Sequence, residues 1–171
     1  MKVLVILSHS YQAQSVSNVA IAEEYKQAGF ELRNLEELYP AGNFDIAAEQ
    51  AALEAADVVI LQHPIFWYNM PPTLKCWMDE VWTYGWAYGS EGSKLAGKKL
   101  LHAYTTGGAR DKYTDEMVKG LSAPLRASAA FTSMEFLEPM GVFGLLAMTN
   151  PNAAADARAF AQSVIARIKS L

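Results

Sequence analysis

Leu61-Gln-His-Pro-Ile-Phe-Trp-Tyr-Asn-Met-Pro-Pro-Thr-Leu-Lys-Cys-Trp-Met-Asp-Glu-Val-Trp-Thr-Tyr-Gly-Trp-Ala-Tyr-Gly89 is the stretch whose reading decides the fold. It continues the run Asp57-Val-Val-Ile-Leu61, which is short, apolar and β-branched, as a strand buried on both faces should be. Pro71 and Pro72 stand where a helix begins, because a fixed φ and a missing N–H are tolerated only in the first turn. Behind them Leu74, Trp77, Met78 and Val81 recur at helical spacing and define one apolar face. Between strand and helix lie Phe66, Trp67 and Tyr68, in a loop at the carboxyl end of a buried strand, where open α/β sheets bind ligands. Aromatic side chains there fit a flat partner. A single aromatic at such a junction is more often core or interface packing, so the other loops must decide.

Working outward, strands and helices alternate along the chain. Lys2–Leu7 reads as a first strand and Ser17–Ala28 as a helix, with Val16, Val19, Ala20 and Tyr25 near one face and Gly29 as its cap. Phe30–Asn34 reads as a weaker edge strand, Asp45–Ala56 as a helix, Asp57–Gln62 as the third strand and Pro72–Thr83 as the third helix. Lys98–Thr105 is the fourth strand, Asp111–Leu121 a helix, Phe131–Leu137 the fifth strand, and Asn152–Ser170 a closing amphipathic helix. Regular βα alternation implies an α/β fold with a parallel sheet covered on both faces. The expectation is a flavodoxin-like three-layer sandwich, its five-stranded sheet ordered 2-1-3-4-5, as one domain over residues 1–171.

Three loops then fall at the ligand-binding end of the sheet. The first, Ser8 to Asn18, offers Ser8, Ser10, Ser15, Ser17 and Asn18 as donors at a helix N-terminus, where a phosphate is held without Lys or Arg. Helix capping alone would explain one of those serines. The loop lacks the Gly-Lys of a P-loop and the Gly-x-Gly-x-x-Gly of dinucleotide folds, which favours a mononucleotide phosphate. The second loop is the aromatic one. The third, Thr105-Thr-Gly-Gly-Ala-Arg-Asp-Lys-Tyr113, brings paired glycines that let a bare backbone approach a ligand and aim N–H groups at it. A phosphate cradle, an aromatic shelf and a glycine nest together describe a site for flavin mononucleotide (FMN). His9 is the sharpest single candidate, as a polar contact to the phosphate or ribityl chain; His63 reads as a brace, His102 as packing, and Cys76 as a small buried residue.

Composition narrows the function classes. The 171 residues carry a net charge of −4, with no basic stripe of the kind nucleic-acid binding needs. No apolar run is long enough to span a membrane, and no Cys/His cluster has metal spacing, so no metal is expected. Met1–Leu7 is too short for a signal peptide, and the lone Cys76 fits a reducing compartment, so the expected location is cytoplasmic.

Several motifs then resemble one family. They are Leu38-Tyr-Pro, Phe44-Asp-Ile-Ala-Ala-Glu-Gln50, Gln62-His-Pro, Trp67-Tyr68, Pro71-Pro-x-Leu-Lys75, Trp77-x-Asp79, Gly85-Trp-Ala-Tyr-Gly89, Leu95-x-Gly-Lys98 and Thr105-Thr-Gly-Gly108. The chain resembles the NAD(P)H dehydrogenase (quinone) family of flavodoxin-like flavoproteins, and within it the ancillary subunits of bacterial glutathione-regulated potassium-efflux systems. The likeness covers the first two-thirds of the chain and thins after Gly120. The resemblance implies FMN held by His9, by Ser15, Val16, Ser17 and Asn18, by Ile65, Phe66, Trp67 and Tyr68, and by Thr105, Thr106, Gly107 and Gly108. It implies hydride transfer from NAD(P)H to the flavin and then two-electron, ping-pong reduction of a quinone. The amides of Gly107 and Gly108 would face the anionic end of the reduced ring, and Tyr113 would donate a hydrogen bond to flavin or quinone. Mammalian-type members pair a tyrosine with a histidine; Tyr113 stands at the tyrosine place, and Lys119 where the histidine would be. Those members are longer and hold FAD, so FMN is preferred here. The resemblance also implies a homodimer, and a partner on the cytoplasmic face of a potassium-efflux membrane protein; Trp82–Tyr88 reads first as a homodimer interface completing the flavin site and second as the contact for that partner. A regulatory ancillary subunit, a one-electron flavodoxin-type carrier and a reductase of azo or nitro compounds are the rival readings.

Overall fold

The computed structural model describes residues 1–11, 14–90 and 94–171. The elements run β1 (Val3–Leu7), α1 (Val16–Gln27), β2 (Glu31–Asn34), α2 (Leu35–Leu38), α3 (Ile46–Ala55), β3 (Val58–Pro64) and α4 (Pro72–Val81). After a gap come β4 (Lys99–Thr105), α5 (Asp115–Phe131), β5 (Glu135–Phe136), β6 (Met140–Val142) and α6 (Ala153–Lys169). Every strand pairing is parallel, in the order β2-β1-β3-β4-β5, and β6 also pairs with β4. This is the flavodoxin-like arrangement that the alternation of elements implies.

Side-chain alternation along the inner strands builds two cores. Leu4, Ile6, Val59, Leu61 and Leu100 face a layer containing Leu53 of α3, Trp77 and Val81 of α4, and Leu125 of α5. Val5, Val58, Ile60, Leu101 and Ala103 face the other layer, with Ile21 and Tyr25 of α1 and Phe160, Val164 and Ile168 of α6. β3 is buried along its whole length, which is why its sequence is apolar without a period of two.

Four expectations need correction. The helix expected to stop at Leu121 continues to Phe131, passing through Pro124. Pro124 is exposed, so the carbonyl whose bond it forfeits is left for water, and Ser128 Oγ donates to the Pro124 carbonyl at 3.0 Å. Of the fifth strand expected over Phe131–Leu137 only Glu135–Phe136 is strand, after the end of that helix and a turn, and the edge resumes as β6 beyond Pro139, which has no N–H to give a ladder. On α1, Val16 and Val19 are exposed while Ser17 and Asn18 are buried, because the first turn lies across strand ends that supply polar partners. Cys76 is exposed, one step off the Leu74–Trp77–Met78 face of α4.

One buried polar cluster accounts for several motif residues. Glu49 is fully buried and accepts from Arg33 Nε at 2.8 Å, Tyr39 Oη at 2.6 Å and Trp77 Nε1 at 2.9 Å. It thereby ties β2, the segment after α2, α3 and α4 together. Gln50 Nε2 donates to the Val81 carbonyl at 2.9 Å, and Lys75 pairs with Asp79 one turn along α4. The Leu38-Tyr-Pro, Glu49-Gln50 and Trp77 motifs are therefore scaffold, remote from the strand-end loops.

Candidate flavin site

The loops after β1, β3 and β4 converge on an open cavity of about 390 Å³. Its walls include His9, Ser15, Val16, Ser17, Asn18, Ile65, Phe66, Thr105, Thr106 and Gly107. Gly108, Trp67, Tyr68 and Tyr113 lie outside those walls. The ring centroids of Tyr68 and Tyr113 are 6.1 Å apart, and a Cβ on Gly108 would sit 3.2 Å from the Tyr113 ring. Lys119 is exposed on α5.

In the first loop, Ser15 caps α1 by accepting from the Asn18 N–H at 3.2 Å, leaving the Val16 and Ser17 amides without intrahelical partners. The polar side chains expected to serve as ligand donors are largely engaged within the protein. Ser8 Oγ donates to Glu36, and Ser17 Oγ donates to the Leu145 carbonyl at 3.1 Å. Asn18 sits in a buried relay in which Tyr25 Oη donates to Gln62, Gln62 to Asn18, and Asn18 to Thr105 Oγ1. An anion at this turn is thus offered backbone N–H groups and the helix dipole more than hydroxyls. His9 Nδ1 accepts from the Tyr11 N–H at 3.0 Å, so the neutral ring carries its hydrogen on Nε2. Burial holds the His9 pKa below its usual value, opposed by the nearby Glu36 carboxylate.

The second loop is a two-residue hairpin. Phe66 and Asn69 exchange backbone hydrogen bonds of 2.9 and 3.0 Å, and between them Trp67 and Tyr68 take φ of 48° and 62°. Positive φ at both central positions is a type I′ geometry, which ordinarily calls for Asn-Gly. Two aromatic residues there cost about 1–2 kcal/mol each. Trp67 is left 91% exposed. Backbone strain combined with an exposed indole marks this turn as shaped for something other than stability.

The third loop contributes Gly107 and Gly108, whose N–H groups make no hydrogen bond among the described residues. Neither glycine has a positive φ. What Gly108 provides is room for Tyr113. Beneath these loops, His63 and His102 form a buried pair, Nε2 to Nε2 at 3.0 Å. His63 Nδ1 faces the Pro64 carbonyl at 2.8 Å, and His102 Nδ1 faces Ser122 Oγ at 2.7 Å. A carbonyl only accepts, so His63 carries its hydrogen on Nδ1, His102 donates from Nε2, and Ser122 donates to His102. Burial pushes the His63 pKa down to about 4, and burial together with its neighbour holds His102 well below the usual range. His102 is therefore more than packing, and the His63 bond fixes the Pro64 carbonyl at the start of the aromatic loop.

A fourth wall has no counterpart in the sequence reading. Leu145, Leu146, Ala147 and Met148 line the cavity, held by bonds from the Gly144 N–H to the Gly108 carbonyl at 2.8 Å and from the Leu145 N–H to the Thr106 carbonyl at 2.9 Å. The segment is apolar without a period, so only Gly144, at φ 74°, marked it as a turn.

The flavodoxin-like fold family matches residues 1–166 of the chain. The chain belongs to that family. It is 41% identical over 167 residues to the glutathione-regulated potassium-efflux system ancillary protein KefF of Klebsiella aerogenes, covering 95% of this chain and 94% of that one. General stress protein 14 of Treponema denticola, solved in complex with FMN, superposes with a TM-score of 0.88 at 32% identity over 99% of both chains. An NADPH-quinone reductase from P. pentosaceus superposes with a TM-score of 0.79 at 26% identity, over 95% of this chain and 97% of that one. Among the described residues no group of His, Cys, Asp and Glu is arranged to hold a metal, and no helix is long and apolar enough to cross a membrane.

Proposed function

We propose that this chain is an FMN-dependent NAD(P)H:quinone oxidoreductase. The observation that carries the reading is the convergence of a capped helix N-terminus, Phe66 at the base of the aromatic turn and the unpaired Gly107 amide on one open cavity. The FMN complex of a 32%-identical relative supports the choice of cofactor. The residues fit that group: His9 and the first-turn amides of α1 suit its phosphate, and Ile65, Phe66 and the Thr105–Gly108 backbone suit its ring. When bound, FMN would supply the redox chemistry, taking hydride from NAD(P)H and passing it to a quinone in ping-pong turnover. The protein's part is orientation and charge. Preorganised N–H groups at Gly107 and Gly108 would stabilise negative charge that develops beside them, and Tyr113 would offer a hydroxyl at the rim. With Trp67 and Met148 about 90% exposed at the loops, a second copy of the chain would cover the open side, as a homodimer.

A second reading follows from the relatives named as potassium-efflux ancillary proteins. On it, the chain acts in the cytoplasm as a partner of such a membrane protein, with its reductase activity secondary. Tyr84 and Phe131, each 70% exposed, flank Tyr88 and supply an apolar contact surface. The deciding experiment is an absorption spectrum of the purified protein, followed by anaerobic NADPH and then a quinone. Flavin bands that bleach and return support the reductase. Bound flavin that NADPH cannot reduce favours the partner reading, which co-purification with the efflux protein then checks. A chain that takes up no FMN ends both forms of the flavin proposal.

A further inference from the structure

A smaller cavity, of about 340 Å³, lies beside the aromatic turn, lined by Tyr68 and by Met117, Gly120 and Leu121 of α5. The three α5 residues are spaced i, i+3 and i+4, so they share one face of the first two turns of that helix. Tyr68 links this cavity to the flavin site. Its ring meets the Tyr113 ring edge-on at 6.1 Å, Tyr113 packs on Gly108, and Phe66 of the same turn lines the flavin cavity. Gly120 is the residue that the fold does not explain. Its φ is not positive, and a Cβ on it would meet no atom within 4 Å, so neither conformation nor crowding calls for glycine. Glycine inside a helix costs stability relative to alanine. A local rule broken without a structural gain points to function. What the missing side chain leaves is room, beside Met117 and the buried Leu121.

The chemistry of the occupant follows from the walls. None of the four lining residues carries a charge, and the exposed Glu116 and Lys119 of the same helix form no part of the lining. A phosphate or carboxylate would lose its water here and gain no partner, so the phosphate-bearing hydride donor draws nothing from this cavity. An apolar chain gains from it. The volume stands at the low end for small-molecule sites, which suits a side group of a substrate more than a second whole molecule. We propose that this cavity takes the apolar substituent of the electron acceptor, so that the protein selects quinones carrying a short alkyl or prenyl chain, with Gly120 setting the length of chain that fits. The inference rests on the reading that the loop cavity holds FMN and that the acceptor reacts beside Gly108 and Tyr113. The strained φ of Tyr68, 62°, then has a use, because the turn carries that ring to the boundary between the two cavities.

The test uses FMN-loaded protein and a series of 2-alkyl-1,4-naphthoquinones running from methyl to hexyl. Dissociation constants are measured on the oxidised protein without NADPH, so that binding is read apart from turnover. Full burial of a methylene is worth about fourfold in affinity; half-burial in an open cavity gives about twofold per carbon, or about thirtyfold across the series. The ratio kcat/KM should follow the same order. Gly120→Leu fills the cavity and should bind the methyl compound as the parent does, while losing about tenfold on the hexyl one. Gly120→Ala should raise the melting temperature yet shorten the chain at which affinity stops rising. Met117→Gln, close in size but polar, should flatten the rise without filling the cavity. A flat series in the parent protein, or a rise that Gly120→Leu and Met117→Gln both preserve, overturns the proposal. So does a Gly120→Leu protein that changes its oligomeric state and binds every member equally weakly, which gives the cavity to a second copy of the chain. Flavin that binds but is not reduced by NADPH sinks the reductase reading alone, and the binding series still decides the cavity; a chain that takes up no FMN ends both.

Discussion

Acidification should destabilise this protein through the buried His63–His102 pair. Both rings are neutral and essentially unexposed; a proton on His63 Nε2 would break the 3.0 Å bond between them, and one on His102 Nδ1 would displace the bond that Ser122 donates. The folded pKa of His63, about 4, lies below the unfolded value near 6.5. A depressed histidine means that the unfolded chain binds the proton first. Stability is therefore full above about pH 6.5 and declines as pH falls toward the folded value. From pH 6.5 to pH 5 is 1.5 pKa units at 1.36 kcal/mol each, about 2 kcal/mol lost through His63. His102 and His9, shifted in the same direction, add to the loss in the same sense. Urea unfolding at pH 7 and pH 5 measures the loss as a lower midpoint at constant slope. A His63→Leu/His102→Leu double variant, whatever its absolute stability, should retain only the smaller pH dependence set by His9 and the carboxylates. Equal wild-type stability at the two pH values, or an unchanged pH dependence in the double variant, would refute the argument.

Replacing Trp67 and Tyr68 by Asn-Gly supplies the residues the turn geometry asks for. The variant should be more stable by about 1–2 kcal/mol in urea melts yet retain FMN less well, and a loss of stability would show that the turn stores no strain. Glu49→Gln leaves the Arg33 guanidinium with only the looser Glu31 carboxylate contact at 3.7 Å, and should cost about 3 kcal/mol by thermal or urea unfolding without altering the flavin spectrum of folded protein. Tyr113→Phe should slow quinone turnover while bound flavin stays in place; unchanged steady-state kinetics would remove the hydroxyl from the reaction.

The residues that were legible in the sequence are those whose role is local. Val58–Leu61 reads as a buried strand because an unbroken β-branched run has few other uses, and Pro71-Pro72 marks a helix start because the first turn is where proline costs a helix least. The three loops were legible for the same reason: strand ends and helix starts fix where they fall, and parallel topology gathers them at one end. What only the tertiary structure decided depends on partners distant in sequence. Nothing within α1 says that Ser17 and Asn18 face inward, since that follows from Leu145, Gln62 and Thr105 arriving from three other segments. Pro124 reads locally as a stop, and only packing of Leu121, Leu125 and Ala129 carries the helix past it. The fourth wall at Leu145–Met148 has no periodicity of its own and is held by carbonyls of the glycine loop. Glu49 looks like one more acidic residue of an Ala-rich helix until Arg33, Tyr39 and Trp77 close around it. Hydrophobic periodicity is a property of a segment, whereas the matching of a buried donor to its acceptor belongs to the whole chain.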